Sequence, residues 1–369
     1  MLSELRNDLL GEGACVETPF GTRRVTYADH IASGRSLASV EDALRASVLP
    51  LYANTHTEDS ATGATTTRLV HDAAEYIKSC LGADQSYKLV FPGTGATGAL
   101  KRLQEILGVS VSGQWRDTLL ESLDPAERLV VFVGPYEHHS NELSWRESLA
   151  ATVTEPLNEH GLIALAVLEE RLSSPRYQGR VKVGSFSAAS NVTGLLTDVR
   201  AVARLLHRHG ALAVFDYAAS APYVRIDVGP SHEGATDWLD AIVLSPHKFL
   251  GGPGSPGLLL FHESLYRLRS PTTAGGGTVS YVSYTRHRYY EDIEVREDAG
   301  TPAIVQKVRA ALAFRVKEQV GIDVIEERER ELIGRALPRL AAIDGVRLLG
   351  NVDAPRLAAR LQANLLARP

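Results

Sequence analysis

Short apolar runs alternate with segments of helical periodicity between residues 68 and 261. The runs are KLVF (88–91), RLVVFV (128–133), RVKVGSFSA (180–188), ALAVF (211–215), AIVL (241–244) and GLLLF (257–261). Mostly uninterrupted apolar runs are typical of strands that are covered on both faces. Helices are predicted over Arg68–Leu81, after GTGATG through Leu107, over Leu162–Leu172 and over Val199–His209, and Asp198 is expected to cap the last of them. This alternation predicts an α/β fold, with a mostly parallel sheet flanked by helices.

The two ends of the chain have a different pattern. Residues 1–50 are expected to form an N-terminal arm, with helical pieces at Leu5–Leu10 and Ser36–Ser47 and a turn-rich segment between them. A long polar loop is predicted over residues 49–68. The glycine- and tyrosine-rich segment 274–292 has no predicted element.

Helical periodicity returns near the end of the chain. Long helices are predicted over Pro302–Val320 and Ile322–Ala342, and an amphipathic helix over Arg356–Ala367. VRLL (346–349) could start a small second domain. We therefore expect three parts, which are the arm (1–50), a large α/β domain (51–305) and a partial small domain (306–369).

Composition limits the classes of partner. Of the 369 residues 44% are hydrophobic and 22% are charged, and the formal net charge is −5. Without a basic field, we expect neither nucleic acid nor a membrane as partner. The cysteines are Cys15 and Cys80, and the N-terminus lacks the apolar core of a signal peptide. We therefore expect a reducing compartment and a cytoplasmic location.

Polar clusters follow the predicted strands. They are GTGATG (93–98), EHHSN (137–141), SNVTG (190–194), DYAAS (216–220) and SPHK (245–248). Ligands of open parallel sheets bind beyond the carboxyl ends of the strands. We therefore expect the five clusters to converge on one site.

Lys248 is the most informative of these residues, because it follows an apolar strand after the short break Ser245-Pro246-His247. Placing an ammonium in apolar surroundings is unfavourable, and a lysine whose pKa is lowered in this way can form a Schiff base. A solvated loop lysine is the alternative at this point. Similarly, the glycines of GTGATG predict either an anion site at a helix N-terminus or only a tight turn.

The other clusters allow two interpretations each. Asp216 could cap the next segment or pair with a buried cationic nitrogen, and Asn191 could bind a ring substituent or serve a turn. His138 and His139 could suggest a metal, but no further ligand pattern accompanies them, so no metal is predicted. One ligand would use all five clusters: pyridoxal 5'-phosphate, which has an aldehyde, a pyridinium nitrogen and a phosphate.

Together these motifs resemble the class V aminotransferase group of fold-type I pyridoxal phosphate enzymes over residues 50–350. The cysteine desulfurase and selenocysteine lyase branch is the most similar. The resemblance implies that Lys248 forms the Schiff base, that Asp216 pairs with the pyridinium nitrogen and that His138 stacks on the ring. It further implies a homodimer with active sites at the interface.

The resemblance also assigns binding roles to other residues. Ala96, Thr97, Ser245 and His247 correspond to the phosphate site, and Asn191 lies near the ring oxygen and the substrate. Thr301 in EDAGTP resembles the threonine that reaches the phosphate of the other subunit. Without the resemblance, Thr301 would be read as a helix N-cap. Asn54 and His56 resemble a segment near the substrate.

Three features of the sequence depart from the family pattern. Ala219 replaces a glutamine that bonds the ring oxygen, and Tyr223 replaces a histidine. In addition, no cysteine follows Cys80, although desulfurases use one in the small domain, and the sequence stops at Pro369. We therefore expect most of that domain to be missing or replaced. The arginine for the substrate carboxylate must then come from elsewhere, with Arg286, Arg288 and Arg296 as candidates.

These observations predict a pyridoxal phosphate enzyme that acts on an α-amino acid through Lys248. It would be a desulfurase-like lyase or transferase without the usual C-terminal cysteine. The alternatives are a class V aminotransferase, or a non-catalytic cofactor-binding protein or subunit. Freed Lys248 would remove the Cα proton, and His138 could pass a proton to a leaving group.

Overall fold

A computed structural model describes residues 2–57 and 59–348 of the chain. The strands in chain order are β1 (Cys15–Thr18), β2 (Gly21–Arg24), β3 (Tyr87–Val90), β4 (Val130–Val133), β5 (Ala151–Thr154), β6 (Lys182–Ser187), β7 (Ala211–Asp216), β8 (Ala241–Leu244), β9 (Leu258–His262), β10 (Val279–Val282) and β11 (His287–Tyr289). Seven of them form the central sheet, in the order β3-β9-β8-β7-β6-β4-β5. Within this sheet β9 runs antiparallel to both of its neighbours, and the remaining pairs are parallel.

Helices surround the sheet. The α-helices are α1 (Leu2–Asp8), α2 (Ala38–Ala43), α3 (Ala61–Cys80), α4 (Gly95–Ile106), α5 (Gly113–Ser122), α6 (His139–Arg146), α7 (Leu165–Leu172), α8 (Val199–Arg208), α9 (Ile293–Arg296), α10 (Ile304–Val320) and α11 (Ile322–Ala341). The mostly parallel α/β fold predicted from the sequence is therefore confirmed.

Two hydrophobic cores lie on opposite faces of the sheet. Successive side chains of a strand point to opposite faces, so Phe132 packs in one core while Val131 and Val133 pack in the other. The first core includes residues of α3, α8 and α10, and the second includes residues of α4 together with Trp145 of α6. Each strand needs apolar residues on both faces, which explains the apolar runs in the sequence.

The predicted strands and most predicted helices are confirmed within a few residues. Asp198 caps α8 as predicted, because its side chain accepts a hydrogen bond from the amide of Ala201. α5, α6 and the edge strand β5 have weak periodicity and were not predicted. Two antiparallel hairpins, β1–β2 and β10–β11, occupy the segments that were read as irregular.

The prediction of a polar loop over residues 49–68 is wrong for its last part. α3 begins at Ala61, seven residues before the predicted start, and Ser60 caps it by accepting a hydrogen bond from the amide of Gly63. Thr66 is buried on this helix, where its hydroxyl donates to Leu51 O and accepts from the amide of Ala53, both at 3.1 Å. Its hydroxyl is therefore buried without the cost of an unpaired polar group.

The predicted long helices near the C-terminus correspond to α10 and α11. Phe314 of α10 stacks on Phe249, with ring centroids 4.8 Å apart, and both belong to the first core. The predicted helix over Arg356–Ala367 and the last residue of 346–349 lie outside the described residues. Among the described helices, none is long and apolar enough to cross a membrane.

The close approach of β9 to the glycine turn before α4 can be tested. A Cβ atom added at Gly257 would lie 2.1 Å from Gly95 O and 2.7 Å from Pro92 O. We therefore expect Gly257→Ala to lower the free energy of unfolding in urea by about 1–3 kcal/mol. Gly113→Ala is the matched control, since nothing lies within 4 Å of the new Cβ. Equal stability of both variants would contradict the packing described here.

Candidate active site

The polar clusters converge at the carboxyl edge of the parallel strands, around a cavity of about 360 Å³. Its walls come from five strand ends and from the N-terminal arm. The lining residues are Ile31, Ala32, Thr94, Gly95, Ala96, Thr97, His138, Ser140, Ser187, Ala189, Asn191, Asp216, Ala218, Ala219, Ser245, His247 and Lys248. All the residues predicted to bind the cofactor except Thr301 therefore lie together, although the role of each stays a prediction.

Lys248 and Asp216 are the charged pair of this cavity. Lys248 ends the helical turn Pro246–Lys248 after β8, and burial lowers the pKa of its ammonium, with Asp216 acting in the opposite direction. Asp216 is the last residue of β7 and is 5% exposed. Burial raises the pKa of its carboxyl, while the amide of Ala218, Lys248 and His138 counteract this. The cavity thus combines a lysine whose pKa is lowered with a buried carboxyl group whose pKa is raised.

His138 lies at the opening of the cavity, at the start of α6. Its Nδ1 accepts a hydrogen bond from the amide of Ser140 at 3.1 Å, so the neutral ring carries its proton on Nε2. Partial burial lowers the pKa of His138, which favours this neutral form. His139 does not line the cavity. The described residues contain no group of three side chains that could hold a metal ion.

The start of α4 forms the other end of the cavity. Ser245 Oγ accepts a hydrogen bond from the amide of Ala96 at 2.9 Å, and the hydroxyls of Thr97 and Ser140 are 2.7 Å apart. Gly95 has a φ of +53°, and a Cβ there would lie 2.9 Å from Ser245 Oγ. Only glycine fits this turn, which brings amides and hydroxyls together at a helix N-terminus, as an anion requires.

The arm contributes a wall that the sequence did not indicate. The amide of Gly34 donates to His247 O at 2.9 Å, and a Cβ at Gly34 would lie 1.9 Å from Phe249 O. This contact places Ile31 and Ala32 at the cavity. No local sequence pattern in the arm predicts its contact with the loop at His247 and Phe249, which lies more than 200 residues later in the chain.

Thr301 lies away from the cavity. It is exposed, and the N-cap position of α10 belongs to Ala303. The reading of Thr301 as a helix cap is therefore wrong, and a contact with a second subunit stays a prediction. Asn54 does not line the cavity, and His56, which has a φ of +66°, contributes to a second cavity of about 400 Å³.

The suggested arginines also lie elsewhere. Arg286 and Arg288 are exposed on the β10–β11 hairpin, and the guanidinium of Arg296 lies 4.7 Å from the ring centroid of Tyr266. Among the described residues, the lining of the cavity includes no arginine. A substrate carboxylate would therefore need a cation from outside this set.

Glu137 is a further titratable group beside the site that the sequence analysis did not single out. Its carboxylate accepts hydrogen bonds from the amide and hydroxyl of Ser187 and from the side chain of Asn141. Burial raises its pKa to about 7, and the charge of Asp216 acts in the same direction. Two carboxyl groups, those of Glu137 and Asp216, therefore interact on this side of the cavity.

Comparison with known proteins identifies the family. Residues 26–365 match the family described as "Aminotransferase class-V". The chain belongs to this family. A probable cysteine desulfurase of Halalkalibacterium halodurans is 27% identical over 88% of this chain and 75% of its own length. A probable cysteine desulfurase of Mycobacterium leprae is 34% identical over 60% of this chain and 50% of its own.

Solved structures share the fold. A cysteine desulfurase of Thermococcus onnurineus superimposes with a TM-score of 0.78 and 21% identity over 97% of this chain and 80% of its own. A cysteine desulfurase of Escherichia coli gives 0.71 and 22% identity over 94% and 78%. These identities establish the fold and no more.

The family depends on pyridoxal 5'-phosphate, which identifies the cofactor. The residues of this chain fit that group. The cavity has a lysine with a lowered pKa, a carboxylate that is 5% exposed and a glycine turn that a Cβ would fill. These features match the aldehyde, the ring nitrogen and the phosphate respectively.

The titration of Glu137 predicts a pH-dependent stability. Its pKa is 4.5 ordinarily and about 7 in the folded protein, so the folded state favours the protonated carboxyl. The contribution of Glu137 to the free energy of unfolding is therefore complete below pH 4.5 and is lost as the pH rises to about 7. The shift corresponds to at most about 3 kcal/mol. Glu137→Gln cannot ionise, so wild type should lose stability relative to this variant between pH 4.5 and 7.5. Urea unfolding measures this, and parallel pH curves would contradict it.

Proposed function

We propose that this protein is a desulfurase-like lyase or transferase that binds pyridoxal phosphate through Lys248 and acts on a small α-amino acid. The observation that carries the proposal is the presence of Lys248 and Asp216 in one cavity, with opposite shifts from their ordinary pKa values. The relatives named cysteine desulfurases support the same class of reaction.

Lys248 has two functions in this proposal. It would hold the cofactor covalently, and its Nζ, once free and neutral, would take the Cα proton of the substrate. The lowered pKa of Lys248 supports this, because only the neutral amine is a nucleophile and a base. When bound, pyridoxal phosphate supplies an electron sink for bonds at Cα.

Asp216 and His138 have separate roles in the proposed reaction. Asp216 would hold the ring nitrogen in its protonated form, because a carboxylate keeps the cationic form favourable. His138 is a neutral ring that presents Nε2–H, since Ser140 occupies Nδ1. We propose that it would stack on the cofactor and that its Nε2–H would donate a hydrogen bond to a leaving group.

The phosphate site is formed by Ala96, Thr97, Ser245 and His247. Because Ser245 Oγ accepts the Ala96 amide, its own hydrogen is free to donate to a phosphate oxygen. Asn191 lines the same cavity, whereas Ala219 has no group that could bond the ring oxygen. We therefore propose that Asn191 takes over that bond.

The test of the covalent role uses absorbance. A lysine linked to the cofactor gives a band at roughly 410–430 nm, and we expect it in purified wild type. Lys248→Ala should lose this band, because no other amine replaces Nζ. Lys101→Ala, on the exposed side of α4, is the control and should keep it. If Lys248→Ala retains the band, another residue binds the cofactor.

The same absorbance reports the reaction. Amino acids that change the band are substrates, and mass spectrometry of the product distinguishes loss of a Cβ substituent, desulfuration and transamination. Transamination would favour the class V aminotransferase alternative. If the band is present and no amino acid perturbs it, the protein is instead a non-catalytic cofactor-binding protein or subunit.

We also propose a homodimer whose second copy completes the site. Two observations support it. Thr301 is exposed, and the described lining of the cavity contains no arginine. Tyr281, Val282 and Tyr284 form an exposed apolar surface on the β10–β11 hairpin, and such patches favour association. A cytoplasmic location is proposed on the free thiols of Cys15 and Cys80.

The dimer is tested by light scattering on purified protein. We expect twice the mass of the 40.0 kDa chain. Tyr284→Ser should weaken association, because it removes a fully exposed aromatic ring of the hairpin. Trp115→Ser removes an exposed aromatic ring of α5 and serves as control. A monomeric wild type at micromolar concentration would contradict the proposal.

A further inference from the structure

Glu137 forms hydrogen bonds with residues from two sides of the active-site cavity. It lies between β4 and α6, next to His138 in the chain. Its Oε1 accepts from the amide of Ser187 at 2.9 Å, and its Oε2 accepts from the Ser187 hydroxyl at 2.6 Å and from Asn141 Nδ2 at 2.7 Å. One carboxylate therefore connects the end of β6 with the first turn of α6.

The α6 side of this connection is firmly anchored. Asn141 is fully buried, and its Oδ1 accepts hydrogen bonds from Trp145 Nε1 at 3.0 Å and from Ser185 Oγ at 2.7 Å. Trp145 is itself fully buried in the second core. A displacement of Glu137 would therefore disturb a buried network, and such networks are costly to leave partly satisfied.

Both ends of the connection reach the cavity. His138 and Ser187 line it, and Ser187 is paired with Asp216 in the register of β6 and β7. An ionised carboxylate only accepts hydrogen bonds, so it draws the Ser187 O–H away from the cavity. A protonated Glu137 can donate to Ser187 Oγ instead, which leaves the Ser187 hydrogen free to point into the cavity.

The Ser187 hydroxyl is expected to change its direction near neutral pH, where Glu137 titrates. Burial, with a smaller contribution from the charge of Asp216, raises the pKa of Glu137 to about 7, although the hydrogen bonds from Ser187 and Asn141 act in the opposite direction. Tyr136, the preceding residue, also interacts with this charge, and its own pKa is raised, mainly by burial. Among the described residues, the titratable groups that interact with Glu137 include Asp216 from β7 and Tyr136 from its own loop.

We propose that Glu137 is a positioning residue of this site, which holds His138 and Ser187 at the cavity and sets the direction in which the Ser187 hydroxyl donates. The inference rests on the proposed function in that the cavity is taken to hold pyridoxal phosphate. Glu137 would not contact the substrate. Its effect would reach the cofactor through Ser187, which is adjacent to Asp216.

The test compares two inward-facing carboxylates in the full-length protein. Glu137→Gln removes the charge beside the cavity, and Glu155→Gln removes the buried carboxylate that pairs with Arg171 at the end of β5, away from the cavity. We expect Glu137→Gln to weaken pyridoxal phosphate binding by roughly tenfold, as for a hydrogen-bonded charge. It should also remove a step near pH 7 from the absorbance of the bound cofactor. Glu155→Gln should bind as wild type does and keep the step.

Three outcomes decide the inference. Wild-type affinity together with an unchanged pH step in Glu137→Gln would overturn it, as would an equal loss of binding in Glu155→Gln. If Glu137→Gln does not fold, Asn141→Ala replaces it. That variant removes a donor to the ionised carboxylate, so the step should move to higher pH, and an unmoved step would again overturn the inference. Failure of wild type to bind pyridoxal phosphate would instead refute the proposed function.

Discussion

The structure depends on keeping a lysine and a carboxylate in one poorly solvated cavity. Burial favours the neutral form of each group, while their mutual attraction favours the charged forms. Such a pair contributes little net stability, because the desolvation of both ions offsets the attraction. It is therefore better understood as a reactive arrangement, in which Lys248 can become a neutral amine and Asp216 can stabilise a cation other than Lys248.

The sheet makes this arrangement possible. Parallel strands end at the same edge, so one residue after each strand reaches the cavity while the strand itself stays apolar on both faces. β9 is antiparallel to its neighbours, and Gly257 at its start fits against the carbonyls of the glycine turn. The approach of the N-terminal arm to the lysine loop likewise depends on Gly34. Glycines thus allow the backbone contacts that close the site.

Much of the fold and site could be predicted from the sequence because they depend on local signals. Apolar runs mark strands, and the residues that follow them share an edge, which was enough to group His138, Asp216 and Lys248. What could not be predicted depends on distant contacts. Thr66 looked like loop sequence because its partners, Leu51 O and the Ala53 amide, come from a separate segment. Ile31 and Glu137 are ordinary residues in the sequence, and only their neighbours in space connect them with the site.

Within one chain, the cavity has more of the groups needed to bind the cofactor than of those needed to recognise a substrate. Donors for a phosphate, a carboxylate for a ring nitrogen and an amine for an aldehyde are all in place, but the described lining offers no guanidinium for an amino-acid carboxylate. The residues expected to contact substrate or a second subunit, His56, Thr301 and Arg286, lie instead outside this cavity. Cofactor binding and substrate choice are thus separable in this fold. On the proposed function, the first would follow from strand ends within one chain, and the second would depend on residues outside this cavity.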